Sequence, residues 1–517
     1  MHKKVWDYSS DFFKNAPDIL YDNLAQIFQA FLVHGHVSDI VLLATLVPLV
    51  KDKLADLSTS KNYRSIALSS IVLKLLDLVI IILYGDLLKL DEFQFGFQKN
   101  NSTSLCSWVV YETIDQYLRN GSTVYGILMD CTKAFDTVQY SKLFQKLKDA
   151  GLPLIIIRLL IAIYQNHTSN VRWKNDISET FTIKNGVRQG AILSPIIFCF
   201  YMNDLFKELR KSSSGCFIGP YYAGAHGYAD DLLLLCPSIS GLQEMVSISE
   251  KYANDHKIQF STNPDARKSK TKGIIFSRNK INFEPEMVKL CGDPLPWVES
   301  AKYLGGRITN ILDGYQNDAK CKRAQFIGRN CELLQEFSLA HPQVKCKIND
   351  IYNSSFHGSI LWDFTGTYTN QLINSWSVAI RHMWELPFNS HRYFLEPLGG
   401  HHAKTMLICR YVTFIQNVRK CHKPAAIYLL EKLKGNKNTV TGRNIAYILK
   451  ETGHCNIFDL KAAQLKKKLN YCETKEDDKW KIDFVKEIVD IKQSVLHLEN
   501  NMTTDELDDI LHYLTTS

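Results

Sequence analysis

Two adjacent aspartates, Asp230 and Asp231, are the feature that most constrains the fold of this chain. They lie between a run of small residues, Ala223–Gly227, and an apolar run, Leu232–Leu235, which predicts two strands joined by a tight turn. Side chains of a strand alternate between its faces, so a turn is needed to hold both carboxylates near one point. Two carboxylates beside a buried strand repel each other unless a cation neutralises them, and Mg²⁺ suits an all-oxygen site. The pattern therefore indicates either a metal site or a solvated turn, where aspartate is also common.

A third carboxylate ends another predicted strand. The segment Thr123–Asp130 is apolar and partly β-branched, which predicts a buried strand with Asp130 at its end. Beside Asp230 and Asp231, this residue would complete a site able to hold two Mg²⁺ ions about 3.5–4 Å apart. One ion would activate an attacking hydroxyl group and the other would stabilise a leaving pyrophosphate, which is the chemistry of nucleotidyl transfer.

Apolar periodicity and capping residues predict an α+β fold. Helices are predicted over residues 21–32, 71–84 (a buried helix), 103–118, 141–150, 154–165, 195–209 and 241–256. Strands are predicted over residues 41–50, 273–277 and 302–309, with a hairpin near 170–173 and 181–184. Ser194 and Pro195 predict the N-cap and the first residue of the helix that follows them. Beyond residue 312 helical patterns predominate, and a charged, exposed helical tail is predicted from Lys475.

The composition limits the classes of protein to which this chain can belong. The chain has 517 residues, enough for two or three domains, and its net charge of +8 is mild for that length. Residues 261–330 contain 13 Lys or Arg and 7 Asp or Glu, and a basic surface beside a metal site suits a polyanionic substrate, although a solvated basic face is a common alternative. The 13 cysteines show no Cys-x-x-Cys spacing, which predicts reduced thiols in an intracellular protein of the nucleus or cytoplasm. We see no signal peptide and no apolar stretch long enough for a bilayer, so no membrane partner is expected.

Seven blocks, in order along the chain, resemble the motifs of reverse transcriptases from non-LTR (LINE-type) retrotransposons. The blocks are Ala44–Lys51 with Asn62–Leu68, Gln94–Thr103, Met129–Asp136, Asn185–Gly190 with Leu193–Pro195, Tyr228–Asp231, Ser269–Lys272 and Lys302–Gly305. The resemblance covers residues 24–307 and is weaker over 376–386. It implies an α+β, right-hand polymerase with fingers, a palm built on an antiparallel sheet and a helical thumb, followed by a mostly α-helical C-terminal region. The implied ranges are 1–120 for an N-terminal extension and fingers, 121–311 for the palm, 312–420 for a thumb-like region and 421–517 for a helical region of unknown role.

The resemblance implies an RNA-directed DNA polymerase. Its partners would be an RNA template, a DNA primer and dNTPs, and its cofactor would be two Mg²⁺ ions, for which Mn²⁺ can substitute. Asp130 and Asp230 would bridge the two ions, with the main-chain carbonyl of Cys131 as an extra ligand, and Asp231 would complete the charge. The resemblance names no protein partner.

The resemblance also assigns residues around the metal site. Phe135 would exclude a ribose 2′-OH, although a core aromatic is the alternative. Lys51 and Arg64 would hold the triphosphate, although each alone is more often a surface cation. Lys270 would protonate pyrophosphate. The remaining assignments are Gln189 and Gly190 in the nucleotide and template pocket, and Tyr303, Leu304 and Gly305 in a primer grip.

The chain departs from the family pattern at three places. Gln98 stands where the family commonly has Arg, Ser65 stands where it commonly has Pro, and Tyr228 stands where many of its members have Phe. The resemblance begins within the first few dozen residues, and Cys455 and Cys472 have no zinc-knuckle partners, so we expect an element that lacks the endonuclease domain. Two hypotheses stay open beside a reverse transcriptase: a catalytically silent retroelement-derived protein that only binds nucleic acid, and an RNA-directed RNA polymerase, which Phe135 disfavours.

Overall fold

The computed structural model describes residues 15–52, 55–263, 265, 268–279, 285–311, 315–388, 398, 403–462 and 465. The chain divides into two compact units, Met1–Leu304 with Thr309–Ile311 and Gly305–Ile308 with Leu312–Ser517. The described helices are α1 (Asp18–His34), α2 (Asp39–Leu42), α3 (Ile71–Tyr84), α4 (Thr103–Arg119), α5 (Tyr140–Asp149), α6 (Leu154–Gln165), α7 (Ser194–Lys211), α8 (Ile239–His256), α9 (Gln316–Glu336), α10 (Pro342–Ile348), α11 (Thr367–Met383), α12 (Ala403–Lys420), α13 (Pro424–Leu433) and α14 (Val440–Thr452). The described strands are β1 (Leu43–Val50), β2 (Tyr63–Leu68), β3 (Val124–Asp130), β4 (Thr168–Trp173), β5 (Asp176–Ile177), β6 (Phe181–Thr182), β7 (Phe217–Ile218), β8 (Tyr221–Tyr222), β9 (Ala225–Tyr228), β10 (Asp231–Cys236), β11 (Lys272–Phe276), β12 (Lys289–Leu290), β13 (Asp293–Pro294), β14 (Ser300–Tyr303) and β15 (Gly306–Thr309).

A four-stranded antiparallel sheet in the order β11-β3-β10-β9 forms the centre of the first unit. Strand β10 is buried continuously from Leu232 to Cys236, without alternation, so both of its faces are covered. Helix α4 packs against β3 and β9, and helix α8 packs against β3 and β10. The leucine run of the sequence therefore becomes the core of the sheet that carries the aspartates.

A second sheet of the first unit contains the strands that carry the predicted triphosphate ligands. Its order is β2-β1-β4-β5, with β6 paired to β4, and β1 runs parallel to β4 but antiparallel to β2. Arg64 lies in β2 opposite Leu49, and Lys51 directly follows β1. Both cations are exposed.

The regular elements of the second unit are all helices among the residues that the structure describes beyond position 315, as the sequence predicts. Helices α9 and α11 pack against each other, and a π-helical turn, Asn349–Asn353, follows α10. The α+β class predicted for the whole chain is confirmed. The four predicted domain ranges stay predictions.

Two predicted elements differ from the structure at their boundaries. Helix α7 begins at Ser194 itself, so Pro195 is its second residue, and the Ser194 side chain makes no cap bond. Its hydroxyl lies 3.4 Å from the Tyr164 hydroxyl instead, because the preceding loop already follows a helical path at Leu193. The predicted strand over residues 302–309 is two strands, β14 and β15, because Leu304 and Gly305 take left-handed φ values of 46° and 83° between them.

Helix α3 is buried on one side only, which corrects the prediction of a buried helix. Leu73, Leu76 and Ile80 are at most 4% exposed, whereas the opposite side has large apolar residues in solvent. These exposed residues are Leu78, Val79, Ile82 and Leu83. An apolar run does not show by itself which of its faces is covered.

Other predictions concern cysteines, membranes and the tail. The structure describes 12 of the 13 cysteines, all with free thiols, and eight of these are buried. None of the described helices is both long enough and apolar enough to cross a bilayer. Cys472 and the charged tail from Lys475 lie outside the described residues.

Asp77 is the charged residue on the buried side of α3, and its carboxylate binds three groups of the segment that leads into α7. Arg188 donates to it at 2.6 Å, and the main-chain N–H groups of Ile192 and Leu193 donate at 3.1 and 3.4 Å. The side chains of Asp77 and Arg188 are each 1% exposed. This ion pair therefore fixes the loop before α7 to α3.

We predict that Asp77→Ala lowers the free energy of unfolding by about 3–5 kcal/mol, because it leaves the Arg188 guanidinium buried without its partner. Urea denaturation followed by tryptophan fluorescence measures the change. Asp77→Leu combined with Arg188→Met should recover most of the loss, since it removes both buried charges. Glu208→Ala, which breaks an exposed pair with Lys211, is the control and should cost no more than about 0.5 kcal/mol. A loss of that small size for Asp77→Ala would contradict the prediction.

Candidate active site

The three predicted aspartates meet at one end of the central sheet. Strands β9 and β10 form a hairpin in which Tyr228 pairs with Asp231, so Ala229 and Asp230 are its two-residue loop. Asp231 is also directly opposite Asp130, the last residue of β3. Opposite residues of antiparallel strands have their Cα atoms about 4.5–5.5 Å apart. The turn predicted from the sequence is confirmed, and the register places the carboxylates of two strands side by side.

The surrounding protein and the neighbouring charges raise the pKa of two of these carboxyl groups. Burial raises the pKa of Asp230 and the charge of Asp130 raises it further, whereas the charges of Arg64 and Lys270 lower it. Although the Asp231 residue reaches solvent, desolvation and then the charges of Asp230 and Asp130 raise its pKa to about 6. The three groups therefore share an excess of negative charge that a bound cation would relieve.

The donor set fits divalent magnesium, although the side chains do not form a closed cage. Within the described parts of the chain, no three His, Cys, Asp or Glu side chains lie close enough together to hold a metal ion. Mg²⁺ is commonly held by one or two carboxylates with waters and substrate phosphates, so a closed cage of protein ligands is not required. Lys270 Nζ lies 3.3 Å from Asp130 Oδ2, so a cation already contacts one of these carboxylates. The carboxylates supply the negatively charged oxygen ligands that such an ion prefers.

The thiol of Cys131 is unsuited to bind a metal ion, which leaves its main-chain carbonyl as the candidate ligand. Burial, followed by the charges of Asp230, Asp130 and Asp231, raises the pKa of this thiol far above its usual range, so the sulfur stays protonated. The residue forms a bridge with Phe260 through hydrogen bonds made by its two neighbours, Thr132 N–H and the Asp130 carbonyl. The Cys131 carbonyl takes no part in that bridge, and its role as a metal ligand stays a prediction.

Hydrogen bonds join the segment of Phe135 to the segment of Gln189. Val187 N–H donates to the Phe135 carbonyl at 2.7 Å, and Gln189 Nε2 donates to Asp136 Oδ1 at 2.8 Å. The half-buried Phe135 ring stacks on the buried Phe198 ring, with 4.7 Å between ring centroids. Phe135 thus packs on a core ring and remains partly accessible to solvent. This position is compatible both with a core aromatic and with a residue that excludes the 2′-OH.

Gly190 is required by a contact within the protein. Its φ is +79°, and a Cβ atom there would lie 2.2 Å from the carbonyl oxygen of Ala67 in β2. The close backbone approach seen here is to the strand that carries Arg64, and a place for Gly190 in the nucleotide and template pocket stays a prediction. The glycine lets the loop of Gln189 pack against that strand.

The two predicted triphosphate ligands differ in their relation to the aspartates. The charge of Arg64 lowers the pKa of Asp230, which places this guanidinium within electrostatic reach of the metal site. Lys51 is held through its main chain, where its N–H donates to the Asn62 carbonyl at 2.8 Å, and its side chain is exposed. Lys51 as a triphosphate ligand stays a prediction.

The predicted primer grip has a buried anchor and a more accessible turn. Tyr303 is 5% exposed, and its hydroxyl lies 3.3 Å from Cys106 Sγ, so its ring belongs to the core of the first unit. Leu304 is half-buried and Gly305 is exposed. Contact of this turn with a primer stays a prediction.

Sequence reasoning missed the pair Asp77 and Arg188 as a support of the site. The pair holds the loop that continues into Gln189 and Gly190. A single acid inside the apolar run of α3 was the available signal, because a buried carboxylate needs a partner. The partner itself could not be identified from the sequence.

Comparisons with known proteins identify a family that matches the part of the chain containing these residues. Residues 51–308 match the family described as reverse transcriptase (RNA-dependent DNA polymerase). A Drosophila melanogaster protein named "Retrovirus-related Pol polyprotein from type-2 retrotransposable element R2DM" is 24% identical over 233 residues, which cover 45% of this chain and 22% of that protein. A Nasonia vitripennis Pol polyprotein of element R2 is 28% identical over 188 residues, covering 35% of this chain and 18% of that protein. The chain thus spans about a fifth of the length of these two relatives.

A solved structure of telomerase from Candida albicans with a fragment of telomeric RNA is similar at 10% identity and a TM-score of 0.38, covering 91% of this chain and 69% of that chain. The family match and the antiparallel sheet that carries the aspartates confirm the predicted right-hand polymerase fold. All three aspartates, with Arg64, Phe135, Gln189 and Lys270, lie inside the matched region. Residues 51–308 of this chain belong to the reverse transcriptase (RNA-dependent DNA polymerase) family and are related to the polymerases of non-LTR retrotransposons.

Proposed function

We propose that this chain is an RNA-directed DNA polymerase that transfers a nucleotide from a dNTP to the 3′-OH of a DNA primer on an RNA template. The observation that carries the proposal is the pairing of Asp130 with Asp231 across β3 and β10, with Asp230 in the adjoining turn. We propose two Mg²⁺ ions as the cofactor, with Mn²⁺ able to substitute. The free thiols of the described cysteines support an intracellular site of action.

Each side chain of the site would have its own role in nucleotidyl transfer. Asp130, Asp230 and Asp231 would hold the ions, which when bound lower the pKa of the attacking hydroxyl group and stabilise the leaving pyrophosphate. Lys270, which lies 3.3 Å from Asp130, would donate a proton to pyrophosphate as it leaves. Arg64 would stabilise the triphosphate charge beside Asp230. Gln189 would contact the nucleotide and its template base.

We predict that Asp230→Asn lowers primer extension at least about 10³-fold, because the site loses a charged ligand at the centre of the reaction. Extension of a DNA primer on an RNA template with dNTPs and Mg²⁺ measures the rate, and a filter assay measures binding of the duplex, which should be retained. Asp149→Asn, an exposed aspartate at the end of α5, is the matched control and should be fully active. Retained extension in Asp230→Asn would refute the mechanism. A wild-type chain that binds the duplex without extending it under Mg²⁺ or Mn²⁺ would favour the silent nucleic-acid-binding alternative.

The raised pKa of Asp231 predicts a pH-dependent stability in metal-free protein. Because the folded state binds this proton more tightly than the unfolded state, the stability that Asp231 contributes is fully present below its usual pKa and is lost as pH rises through about 6. Asp231→Asn should therefore stabilise the fold at about pH 7.5, by about 1 kcal/mol after screening by solvent is included, and by much less at about pH 4.5.

Thermal unfolding in EDTA at the two pH values measures this difference. Asp149→Asn controls for loss of a surface carboxylate and should show no such dependence on pH. An equal effect of Asp231→Asn at both pH values would contradict the prediction.

We predict that Phe135→Val lowers the preference for dNTPs over rNTPs by about 10-fold or more, because the smaller side chain admits the 2′-OH. The ratio of kcat/KM for dNTP and rNTP incorporation measures it. Phe144→Val is the matched control, since Phe144 is also a half-buried aromatic, packs on Tyr164 and has no assigned role at the candidate site. If Phe135 is only a core residue, both substitutions will lower the two rates in parallel and leave the ratio unchanged.

A further inference from the structure

Ala229, the residue before Asp230, has a backbone conformation that its side chain disfavours. Its φ is +58°, in the left-handed region that glycine adopts readily and other L-residues adopt at a cost. Such conformations persist where the surrounding structure fixes them, and they are concentrated at functional sites. The conformation of Ala229 determines where the next two residues, Asp230 and Asp231, direct their carboxylates.

The side chain of Gln94 binds both main-chain polar groups of Ala229. Ala229 N–H donates to Gln94 Oε1 at 3.0 Å, and Gln94 Nε2 donates to the Ala229 carbonyl at 3.4 Å. The same Oε1 also accepts from Gly96 N–H at 2.9 Å. The Gln94 residue is 0% exposed, so water does not compete for these hydrogen bonds.

The backbone around Gln94 is fixed against strand β9. Phe95 N–H donates to the Gly227 carbonyl and Gly227 N–H donates to the Phe93 carbonyl, both at 2.8 Å. The flanking rings of Phe93 and Phe95 are each 2% exposed. Gln94 is thus a polar side chain between two buried aromatics, directed at the turn rather than at solvent.

Two glycines make room for this arrangement. A Cβ atom on Gly96 would lie 2.5 Å from Ala229 N, and one on Gly227 would lie 3.1 Å from Gln94 Nε2 and 2.5 Å from the Phe206 ring. The segment of Gln94 and the turn of Ala229 therefore pack at the closest distance that the backbone allows.

We propose that Gln94 is a positioning residue: its amide holds Ala229 in the left-handed conformation and thereby orients Asp230 and Asp231 toward the divalent ions. This inference rests on the proposed function, since it assigns the carboxylates a bound metal. Gln94 does not contact the reacting atoms and acts through the turn. Groups that orient metal ligands typically change metal affinity or activity 10–100-fold when they are replaced.

The test compares Gln94→Met, which keeps the length of the side chain and removes both hydrogen bonds, with Asn444→Leu. Asn444 is the matched control because its amide makes the same two kinds of bond in the second unit, accepting from Phe364 N–H at 2.9 Å and donating to the Trp362 carbonyl at 2.8 Å. It is also 0% exposed. A purely structural role of Gln94 should give the same results as Asn444→Leu.

Binding of Mn²⁺, used as a probe ion and followed by electron paramagnetic resonance, is the primary measurement on the full chain. We expect Gln94→Met to weaken Mn²⁺ binding about 10–100-fold and to raise the Mg²⁺ concentration for half-maximal primer extension by a similar factor. The KM for dNTP at saturating Mg²⁺ should change less than about 2-fold. Asn444→Leu should lower the unfolding temperature and leave Mn²⁺ binding unchanged.

The outcomes separate this inference from the proposed function. Wild-type Mn²⁺ binding by Gln94→Met would overturn the role of Gln94 alone, and a wild-type chain that binds Mn²⁺ without extending a primer would contradict the polymerase function alone. If Gln94→Met does not fold, Gln94→Asn replaces it, because a shorter amide keeps the polarity of the site but cannot reach both groups of Ala229. Wild-type Mn²⁺ binding by a folded Gln94→Asn would equally overturn the role of Gln94.

Discussion

The antiparallel pairing of β3 with β10 is the interaction on which the rest of the site depends. It places Asp130 opposite Asp231, and the apolar run from Leu232 onward buries the paired strand on both faces of the sheet. A slip of one residue would turn every side chain of β10 to the opposite face and would separate the two carboxylates. The register of this strand pair thus determines where the negative charge is concentrated.

Concentrated charge at the end of a buried strand is unfavourable in the absence of a cation. The raised pKa values of Asp230 and Asp231 express that cost, and Arg64 and Lys270 relieve part of it. An electrostatic imbalance of this kind favours a bound cation, which is the basis of the proposed metal site.

The loops around the aspartates are held by buried polar groups whose partners are distant in sequence. Asp77 binds Arg188 in one such contact, and the amide of Gln94 binds the main chain of Ala229 in another. Each group is nearly or completely excluded from solvent, so an unpaired member would be costly. These contacts explain how short loops that carry functional residues keep a single conformation.

Much of this arrangement could be predicted before the structure was available. Helix α6 was predicted at Leu154–Gln165 and is found there, because its apolar periodicity is strong and Pro153 precedes it. The hairpin around Asp230 was also predicted, because small residues before an apolar run specify a turn locally. The division of residues 302–309 into two strands was missed, since the left-handed φ of Leu304 has no signal in its residue type.

The sequence by itself determined the two strand ends with aspartates, the order of the seven blocks and therefore the kind of chemistry. Those features are local, and the hydrophobic pattern and residue type of a short segment are enough to specify them. Only the tertiary structure decided that Asp130 faces Asp231, that Gly190 packs against Ala67 and that Gln94 reaches Ala229 across 135 positions of the chain. Contacts between distant residues depend on how whole elements pack, and a single sequence carries no local pattern that encodes the pairing.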